Sequence, residues 1–391
     1  MKLDTLVISK AELDSSRIIE YIRSVHDAGL VLCFSCIDDK FSNLDLFKNL
    51  IENVDPPFLG VRVVGFAIES GYYEDSILVC VFSGNFNASV GSLKIDYDNP
   101  DKTAGLFSEK ISSEKLMLVY SSNHPKRDSW VNSILKQVQN SNPDIQIAGG
   151  VSGNPPFIAT KEGIYADHIA YVLLDQTDFS FILDSGFELM EETPSYTVTH
   201  SNDYYMLKID GEPASLQYSK IQHIQPYFLN MLSNLFAKSN FTKLMKRLSQ
   251  TSDVMYEGVM KFVVTLLGRE IAPGKAEILA CFELDDESLL AQSSFPPGTT
   301  LKRIKTTPED QLAVFERLDD KSTDSGVLLI NACLMCAYWM DFKFDKLVEK
   351  ISKLDKPTIV IFLWGEFGTE VPYIEDKNLL HGGTVKTVLL K

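Results

Sequence analysis

The sequence predicts a mixed α/β (α+β) fold made of two related halves. Each half is expected to hold a βαβ unit in a mixed sheet flanked by helices, and the halves are expected to pack around a common pseudo-symmetric core. Three observations predict this fold. Apolar runs typical of buried strands alternate with amphipathic helices, the same strand–helix–strand order occurs near both ends of the chain, and the 391 residues are 45% hydrophobic, enough for a large core.

The first βαβ unit lies near the N-terminus. Helical spacing of isoleucines predicts a helix over residues 15–28, and the apolar run 30–34 predicts a buried strand. A second amphipathic helix around residues 46–51 ends before two prolines, and residues 61–64 predict a strand that Gly65 closes. Two such strands joined by a helix favour a right-handed parallel unit.

A second unit of the same order lies near the C-terminus. It comprises a predicted strand starting within residues 324–329, a helix over Phe344–Ile351 and a strand over Thr358–Leu363. The identities between the two copies include Gly29/Gly326, Leu32/Leu329, Cys36/Cys333, Phe47/Phe344, Leu50/Leu347, Glu52/Glu349, Pro57/Pro357 and Gly65/Gly365. We interpret the match as an internal repeat; a chance match between two βαβ units is the alternative.

A polar segment with a proline, residues 191–194, is the predicted joint between the halves. It divides the chain into a domain of residues 1–192 and a domain of residues 193–391. The elements expected after the joint are a hairpin at residues 196–199 and 204–209, a mainly helical stretch at 221–260, and strands at 278–284 and 300–305.

Charge and composition exclude several classes of protein. Acidic residues outnumber basic ones by 53 to 37, so we expect no nucleic-acid binding and no attraction to anionic membranes. The longest apolar stretch, residues 327–340, is shorter than the roughly 20 residues of a membrane span. The N-terminus lacks the apolar region of a signal peptide, and six cysteines are too few for a disulfide scaffold. We therefore expect a reduced, cytoplasmic protein.

The candidate ligand site follows the strands of the C-terminal half, because a parallel sheet binds ligands beyond the carboxyl ends of its strands. If the last strand, Val385–Leu390, pairs beside the strand before it, thiols, a carboxylate, an imidazole and a hydroxyl line one pocket. The candidate ligand-binding residues are Cys333, Cys336, Gly365, Glu366, His381, Gly382 and Thr384, together with the glycine turn Gly149-Gly150. Structural interpretations stay open for the thiols as buried apolar groups, Glu366 as a turn cap and His381 as a surface residue. We assign no catalytic residue and no metal ligand.

The sequence contains two C-x-x-C pairs, Cys33–Cys36 and Cys333–Cys336. Such pairs are typical of metal sites and of redox-active sites. Four thiols are a zinc ligand set, but the pairs belong to separate halves and Cys33 lies inside an apolar strand, which favours buried thiols. A strand–CxxC–helix order leaves a thioredoxin-like redox motif open at the second pair. Residues 268–276 depart from a phosphate loop in spacing and lack the hydroxyl that Mg²⁺ needs.

These motifs also carry a family resemblance. The chain resembles the FIST family over nearly its whole length, with both its N-terminal and its C-terminal module. The motifs that resemble the C-terminal module are Val198-Thr199 with residues 209–214 (IDGEPA), residues 295–299 (FPPGT), Ala332-Cys333, and Gly365-Glu366 with residues 380–384 (LHGGT). Gly149-Gly150 and the region of Gly65 resemble glycine turns of the N-terminal module. The chain departs from the family at Cys336, where an arginine is usual, and so lacks a bidentate anion donor.

The resemblance implies a cytoplasmic sensory protein without enzymatic activity. It implies a pocket in the C-terminal half for a small, amino-acid-like molecule, and output through a signalling partner such as a histidine kinase. The alternative within the family is a haem-based nitric-oxide sensor, whose axial ligand is one of the six histidines or a cysteine. Further alternatives are a thiol-dependent enzyme using Cys333 or Cys336 and a protein-recognition module without a small ligand.

Overall fold

The computed structural model shows helices packed on four mixed or antiparallel sheets, which confirms the predicted mixed α/β class. The residues that the structure describes are 1–111, 116–122, 128–153, 156–175, 178–202, 205–222, 267–279, 281–284, 288–291, 294–321, 326–368, 379–381 and 384–391. Within these residues the chain forms the four sheets and the helices that flank them.

Strands and helices are numbered along the chain. The strands before residue 190 are β1 (Lys2–Ser9), β2 (Ala28–Ser35), β3 (Phe58–Arg62), β4 (Gly65–Ile68), β5 (Gly71–Tyr73), β6 (Ser76–Ser83), β7 (Asn87–Lys94), β8 (Leu116–Ser121), β9 (Gln146–Val151), β10 (Ile158–Thr160), β11 (Gly163–Tyr165), β12 (His168–Asp175), β13 (Phe179–Asp184) and β14 (Glu188–Leu189). The later strands are β15 (Tyr196–Asn202), β16 (Tyr205–Ile209), β17 (Glu212–Pro213), β18 (Leu267–Ala272), β19 (Lys275–Ile278), β20 (Cys281–Leu284), β21 (Leu289–Ala291), β22 (Thr300–Lys305), β23 (Val327–Cys333), β24 (Thr358–Leu363), β25 (Gly365–Gly368), β26 (Leu379–His381) and β27 (Val385–Leu390). The helices are α1 (Ser15–Ser24), α2 (Lys40–Asn53), α3 (Pro100–Ser108), α4 (Asp128–Ser141), α5 (Ala214–Gln222), α6 (Pro308–Lys321), α7 (Leu334–Trp339) and α8 (Phe344–Ile351).

Three of the sheets share one topology. Sheet A has the strand order β1-β6-β2-β3-β10-β11, sheet B has β13-β27-β23-β24-β4-β5, and sheet C has β7-β12-β8-β9-β25-β26. In each sheet the third and fourth strands are parallel, and the other neighbouring strands are antiparallel. The parallel pair is a βαβ unit joined by helices, and the last two strands form a hairpin that comes from another unit.

The three units exchange hairpins in a cycle. The chain leaves sheet A after β3 and enters sheet B as β4–β5, leaves sheet B after β24 and enters sheet C as β25–β26, and leaves sheet C after β9 and enters sheet A as β10–β11. The unit β8-α4-β9 therefore has the same topology as the two predicted units, and the sequence analysis did not predict it. Sheets B and C take strands from both sides of residue 192, so the proposed domain boundary does not follow the sheets and stays a prediction.

Backbone hydrogen bonds fix the register of the three units. The residue that ends or directly follows each unit's first strand donates its N–H to a backbone carbonyl of the antiparallel strand beside it. The accepting residue is the first residue of that strand or the residue just before it. The donor and acceptor residues are Cys36 and Ser76 (3.0 Å), Ser122 and His168 (3.0 Å), and Cys333 and Thr384 (3.3 Å). The two cysteines that align in the sequence thus hold equivalent positions, and Ser122 holds the third.

The inner faces of sheets A, B and C enclose a common apolar core. Leu32 of β2, Leu118 of β8 and Leu329 of β23 belong to this core and are fully buried. Because successive residues of a strand point to opposite faces, Val31 and Cys33 belong to an outer core under α1 and α2. Helices α3 and α4 cover sheet C in the same way, and α6, α7 and α8 cover sheet B.

A fourth sheet, sheet D, has the order β14-β19-β18-β22-β15-β16-β21-β20, with β17 beside β16. The predicted hairpin after the joint is its β15–β16 pair, and the strand expected at residues 300–305 is β22. The strand expected at residues 278–284 is divided between β19 and β20. The helical prediction for residues 221–260 lies almost wholly outside the described residues.

Two boundaries of the first unit differ from the prediction. The helix expected over residues 15–28 ends at Ser24, because Asp27 adopts a left-handed φ of 54° and the chain enters β2 at once. The strand expected over residues 61–64 is β3, which starts earlier, directly after Pro57. Both differences leave the strand–helix–strand order unchanged.

Candidate functional site

The predicted site residues meet where the chain passes from sheet B to sheet C. After β24, the N–H of Trp364 donates to the carbonyl of Val151 (3.1 Å), and β25 then pairs antiparallel with β9. In this ladder Glu366 lies opposite Gly150 on one side and opposite His381 of β26 on the other. One row of sheet C therefore holds residues from three segments that the sequence analysis selected separately.

The strand order that produces this row differs from the expected one. The last strand, β27, pairs with β23 and β13 rather than with β24, whose other edge is occupied by β4. Glu366 and His381 meet through their own hairpin instead, and their positions are described here by backbone pairing. Gly365 starts β25 opposite Val151, and Gly382 lies outside the described residues.

Gly149 is required by the close approach of β9 to β8. Its φ is +135°, and a Cβ added there would lie 1.8 Å from the carbonyl oxygen of Val119. Any side chain at this position would overlap backbone, which cannot move without disrupting the ladder. The predicted glycine turn is wrong, because Gly149 and Gly150 lie inside β9. Of the two roles considered for these glycines, approach to a ligand and approach to a neighbouring element, the contacts of Gly149 are with a neighbouring strand.

Cys333, Cys336 and Thr384 cluster at the carboxyl end of β23. All three are buried, with at most 1% of each residue exposed. The thiol of Cys333 lies 3.7 Å from the carbonyl oxygen of Trp364, and the thiol of Cys336 lies 3.7 Å from that of Thr384. The two thiols therefore tie the start of α7 to the beginnings of β25 and β27, which bound the site.

The structure adds a polar contact that the sequence analysis missed. Phe34, Tyr120 and Asn331 hold equivalent positions in β2, β8 and β23, and they meet in the common core. The rings of Phe34 and Tyr120 pack edge to face with centroids 5.9 Å apart, and the Tyr120 hydroxyl donates to Oδ1 of Asn331 (3.3 Å). Burial raises the pKa of Tyr120 far above its ordinary value, so the hydroxyl keeps its proton. Asn331 is fully buried, and its Nδ2 has no hydrogen-bond partner among the described residues.

Lys386 is the second residue that the sequence analysis missed. It lies opposite Asn331 in the β23–β27 ladder and is fully buried, and its Nζ is 4.7 Å from the centroid of the Phe181 ring. A buried ammonium is costly unless it is compensated, and an aromatic face supplies part of that compensation. The sequence does carry a signal for these two residues, because Asn331 and Lys386 each place a polar side chain inside a mainly apolar strand.

These features belong to one region of the molecule. Strands β23 and β27, which carry Asn331 and Lys386, contact both β9 and β25. A buried cation, an amide with hydrogen-bonding capacity and the row of Gly150, Glu366 and His381 are thus gathered around the same strand ends. Such a set of groups is suited to binding a small polar molecule rather than to nucleophilic chemistry, which needs an accessible thiolate.

The first C-x-x-C pair belongs to sheet A. Cys33 is buried in the outer core and Cys36 is buried at the end of β2. Burial raises the pKa of both thiols, that of Cys36 to about 12. A thiol with a raised pKa stays protonated at neutral pH, which is the opposite of what a reactive or metal-binding cysteine needs.

Of the histidines considered as haem ligands, His124 and His223 lie outside the described residues, and His26, His168 and His200 lie in different elements. His26 and His200 are exposed, whereas His168 contacts Asp167 through Nδ1 (2.9 Å) and stacks on Tyr165 with centroids 3.8 Å apart. None of these three lines the described cavity of about 320 Å³ beside α2. Their surroundings do not supply the apolar, ligand-facing pocket that a haem needs.

Comparison with protein families matches residues 29–212 to the FIST N domain. The matched region contains sheet A except for β1 and the first residue of β2, together with strand β9, which pairs with β25. No curated protein matches the chain. Among the described residues, no helix has both the length and the apolar character needed to cross a lipid bilayer.

Proposed function

The chain belongs to the FIST family, whose domains are sensory, and on that premise we propose that it binds a small, amino-acid-like molecule and signals through a protein partner. The observation that carries the proposal is the pairing of β25 with β9, which sets Glu366 and His381 in one row with Gly150. The proposed site lies at the carboxyl end of β23 and comprises this row with Cys333, Cys336, Gly149, Gly365, Gly382 and Thr384.

The chemistry of the region suits a zwitterion. Glu366 is proposed to bind the ligand's ammonium group. Asn331 is proposed to donate from its Nδ2 to the ligand's carboxylate, in place of the arginine that the family usually carries at the position of Cys336. Charge-assisted hydrogen bonds of this kind are about twice as strong as neutral ones.

The position of the site suits signalling. It lies where the chain crosses between sheets B and C, so a ligand held there contacts strands of both sheets and biases how they pack. A ligand shifts a conformational equilibrium only by its difference in affinity for the two states. We propose that this change is read in the cytoplasm by a partner such as a histidine kinase, and that the chain itself catalyses no reaction.

The test is thermal unfolding of the purified full chain with a library of amino acids, nucleotides and haem. A ligand at 100 times its dissociation constant adds about 2.7 kcal/mol, which raises the unfolding temperature by several degrees. We expect an amino acid to produce this shift, and we expect Glu366→Ala and Asn331→Leu to abolish it. An absorbance scan after haem addition tests the alternative cofactor directly.

The matched control is Glu69→Ala, which removes an exposed carboxylate from the equivalent hairpin of sheet B and should leave the ligand shift intact. A shift of equal size in Glu366→Ala and the wild type would refute the assigned site. A Soret band with no amino-acid shift would replace the proposal with gas sensing, and no shift with any compound would favour protein recognition.

A further inference from the structure

We propose a second ligand site, for a small, flat, uncharged molecule, in sheet A. A cavity of about 320 Å³ lies there between α2 and the β10–β11 hairpin. It is lined by Asn43, Leu44, Pro156, Phe157, Ile164 and Tyr165, with Ala166 at one side. The cavity lies in a different sheet from the proposed sensory site and shares no residue with it, so this inference does not depend on the proposed function.

The threefold repeat provides an internal reference for this cavity. The β4–β5 hairpin meets α8 in sheet B as β10–β11 meets α2 in sheet A. In the first hairpin Tyr72 lies opposite Ala67, and in the second Ile164 lies opposite Ala159. Ile164 is therefore the equivalent of Tyr72.

The two hairpins fill the space beside their helices differently. In sheet B the Tyr72 ring stacks on Phe344 with centroids 3.5 Å apart and meets Phe362 edge-on at 6.0 Å. In sheet A the helix residue Phe47 is contacted by Phe157 instead, with centroids 5.0 Å apart. Ile164 carries no ring, and the cavity lies beside Ile164 and the half-buried Phe157.

The lining determines the class of ligand. None of the described residues that line the cavity carries a charge, and the lining is mainly apolar. The amide of Asn43 is committed within the protein: Nδ2 donates to the carbonyls of Ile37 (2.7 Å) and Asp39 (2.9 Å), and Oδ1 accepts from the Ser35 hydroxyl (2.6 Å). The remaining recognition is by shape and by the aromatic rings of Phe157 and Tyr165, the second of which also stacks on His168, and aromatic rings favour another ring.

The size of the cavity sets the size of the ligand. A dry apolar cavity of roughly 150 Å³ holds benzene, so a space about twice as large accommodates two fused rings. It also lies at the lower end of the volumes of natural ligand pockets, which begin at about 300 Å³. We therefore assign the site to a bicyclic aromatic molecule without charge.

The probe is 5-fluoroindole, followed by ¹⁹F NMR titration of the full chain. We expect saturable binding to the wild type and to Ile164→Val, which keeps the cavity. We expect binding to weaken by about tenfold or more in Ile164→Tyr, which supplies the ring found at the equivalent position in sheet B. Leu44→Trp fills the cavity from the helix side and should weaken binding in the same way. It replaces Ile164→Tyr in the test if circular dichroism shows that Ile164→Tyr folds poorly.

Three results would overturn the proposal. The first is the absence of saturable binding up to the solubility limit of the probe. The second is equal affinity in the wild type and in a folded cavity-filling variant. The third is equal affinity for indole-3-acetate, which has the same ring with a carboxylate. Unchanged binding in Glu366→Ala, by contrast, is the expected result and separates this site from the sensory one.

Discussion

Hairpins β4–β5 and β25–β26 hold equivalent places in sheets B and C, yet they differ in two ways. Two residues separate β4 from β5, whereas ten separate β25 from β26. At the first paired position, Phe66 lies opposite Tyr73 in one hairpin and Glu366 lies opposite His381 in the other. The fold therefore requires only a short apolar hairpin at this place.

The difference teaches where to look for function in a repeated structure. Phe66 belongs to the common core, and a charged residue at the equivalent register position brings no benefit to packing. Departures from a repeat that disturb local rules are expected at functional sites. The longer hairpin with its ionisable pair is such a departure, which is why the proposed site is placed there. Three substitutions test this comparison.

The largest loss of stability is expected for a substitution in β9, the strand that pairs with the longer hairpin. Gly149→Ala places a Cβ 1.8 Å from the Val119 carbonyl oxygen and forces a φ of +135° on a residue with a side chain. We expect a loss of more than about 3 kcal/mol of unfolding free energy, measured by urea denaturation. The control is Gly105→Ala in α3, where the nearest atom is 3.8 Å away and a gain of about 0.5–1 kcal/mol is expected. Equal urea midpoints for Gly149→Ala and the wild type would show that β8 and β9 are not so closely paired.

A smaller effect is expected in the shorter hairpin. Tyr72→Ile gives β4–β5 the residue that β10–β11 has, and it removes the ring stacked on Phe344. We expect a loss of about 2 kcal/mol, since a partly buried aromatic ring that packs against the core is replaced by a smaller side chain. Tyr205→Ile is the matched control, because Tyr205 is 44% exposed and should change stability by no more than about 0.5 kcal/mol. Similar losses of unfolding free energy for both variants would mean that the stacking of Tyr72 on Phe344 does not stabilise the protein.

The smallest effect is expected on the pH dependence of stability when Cys36 is replaced by alanine. Cys36 lies at the end of β2, at the position equivalent to Cys333. Burial raises the pKa of Cys36 from its ordinary value near 9 to about 12. The folded state thus keeps a neutral thiol, whose stabilising effect is complete below pH 9 and is lost as the pH rises towards 12. Between pH 8 and pH 10 the wild type should lose about 1.4 kcal/mol more than Cys36→Ala.

Urea denaturation at a series of pH values measures this difference. Tyr21, whose pKa is also raised to about 12 by burial, titrates in both proteins and cancels in the comparison. Parallel stability curves for the wild type and Cys36→Ala would contradict the burial of the thiol at the end of β2.

The sequence by itself determined the local elements of this protein. Two of its βαβ units were predictable because hydrophobic periodicity and proline stop signals act within about 40 residues, and Cys36 and Cys333 marked their equivalent ends. The sequence also placed the candidate ligand site at the carboxyl ends of those strands, since parallel strands end at a common edge, and that site stays a prediction. Glu366 and His381 were selected in this way, although the pairing that joins them was not.

Only the tertiary structure decided which strands pair. Backbone hydrogen bonds between strands are the same whatever the side chains, so nothing in residues 365–368 indicates that β25 pairs with β9 rather than with a strand of its own unit. The third unit, β8-α4-β9, was missed because it carries Ser122 where the others carry cysteine. Asn331 and Lys386 were visible as polar residues in apolar strands, but their neighbours Tyr120 and Phe181 come from distant segments. Contacts of that kind depend on how three sheets close around one core, which no local pattern encodes.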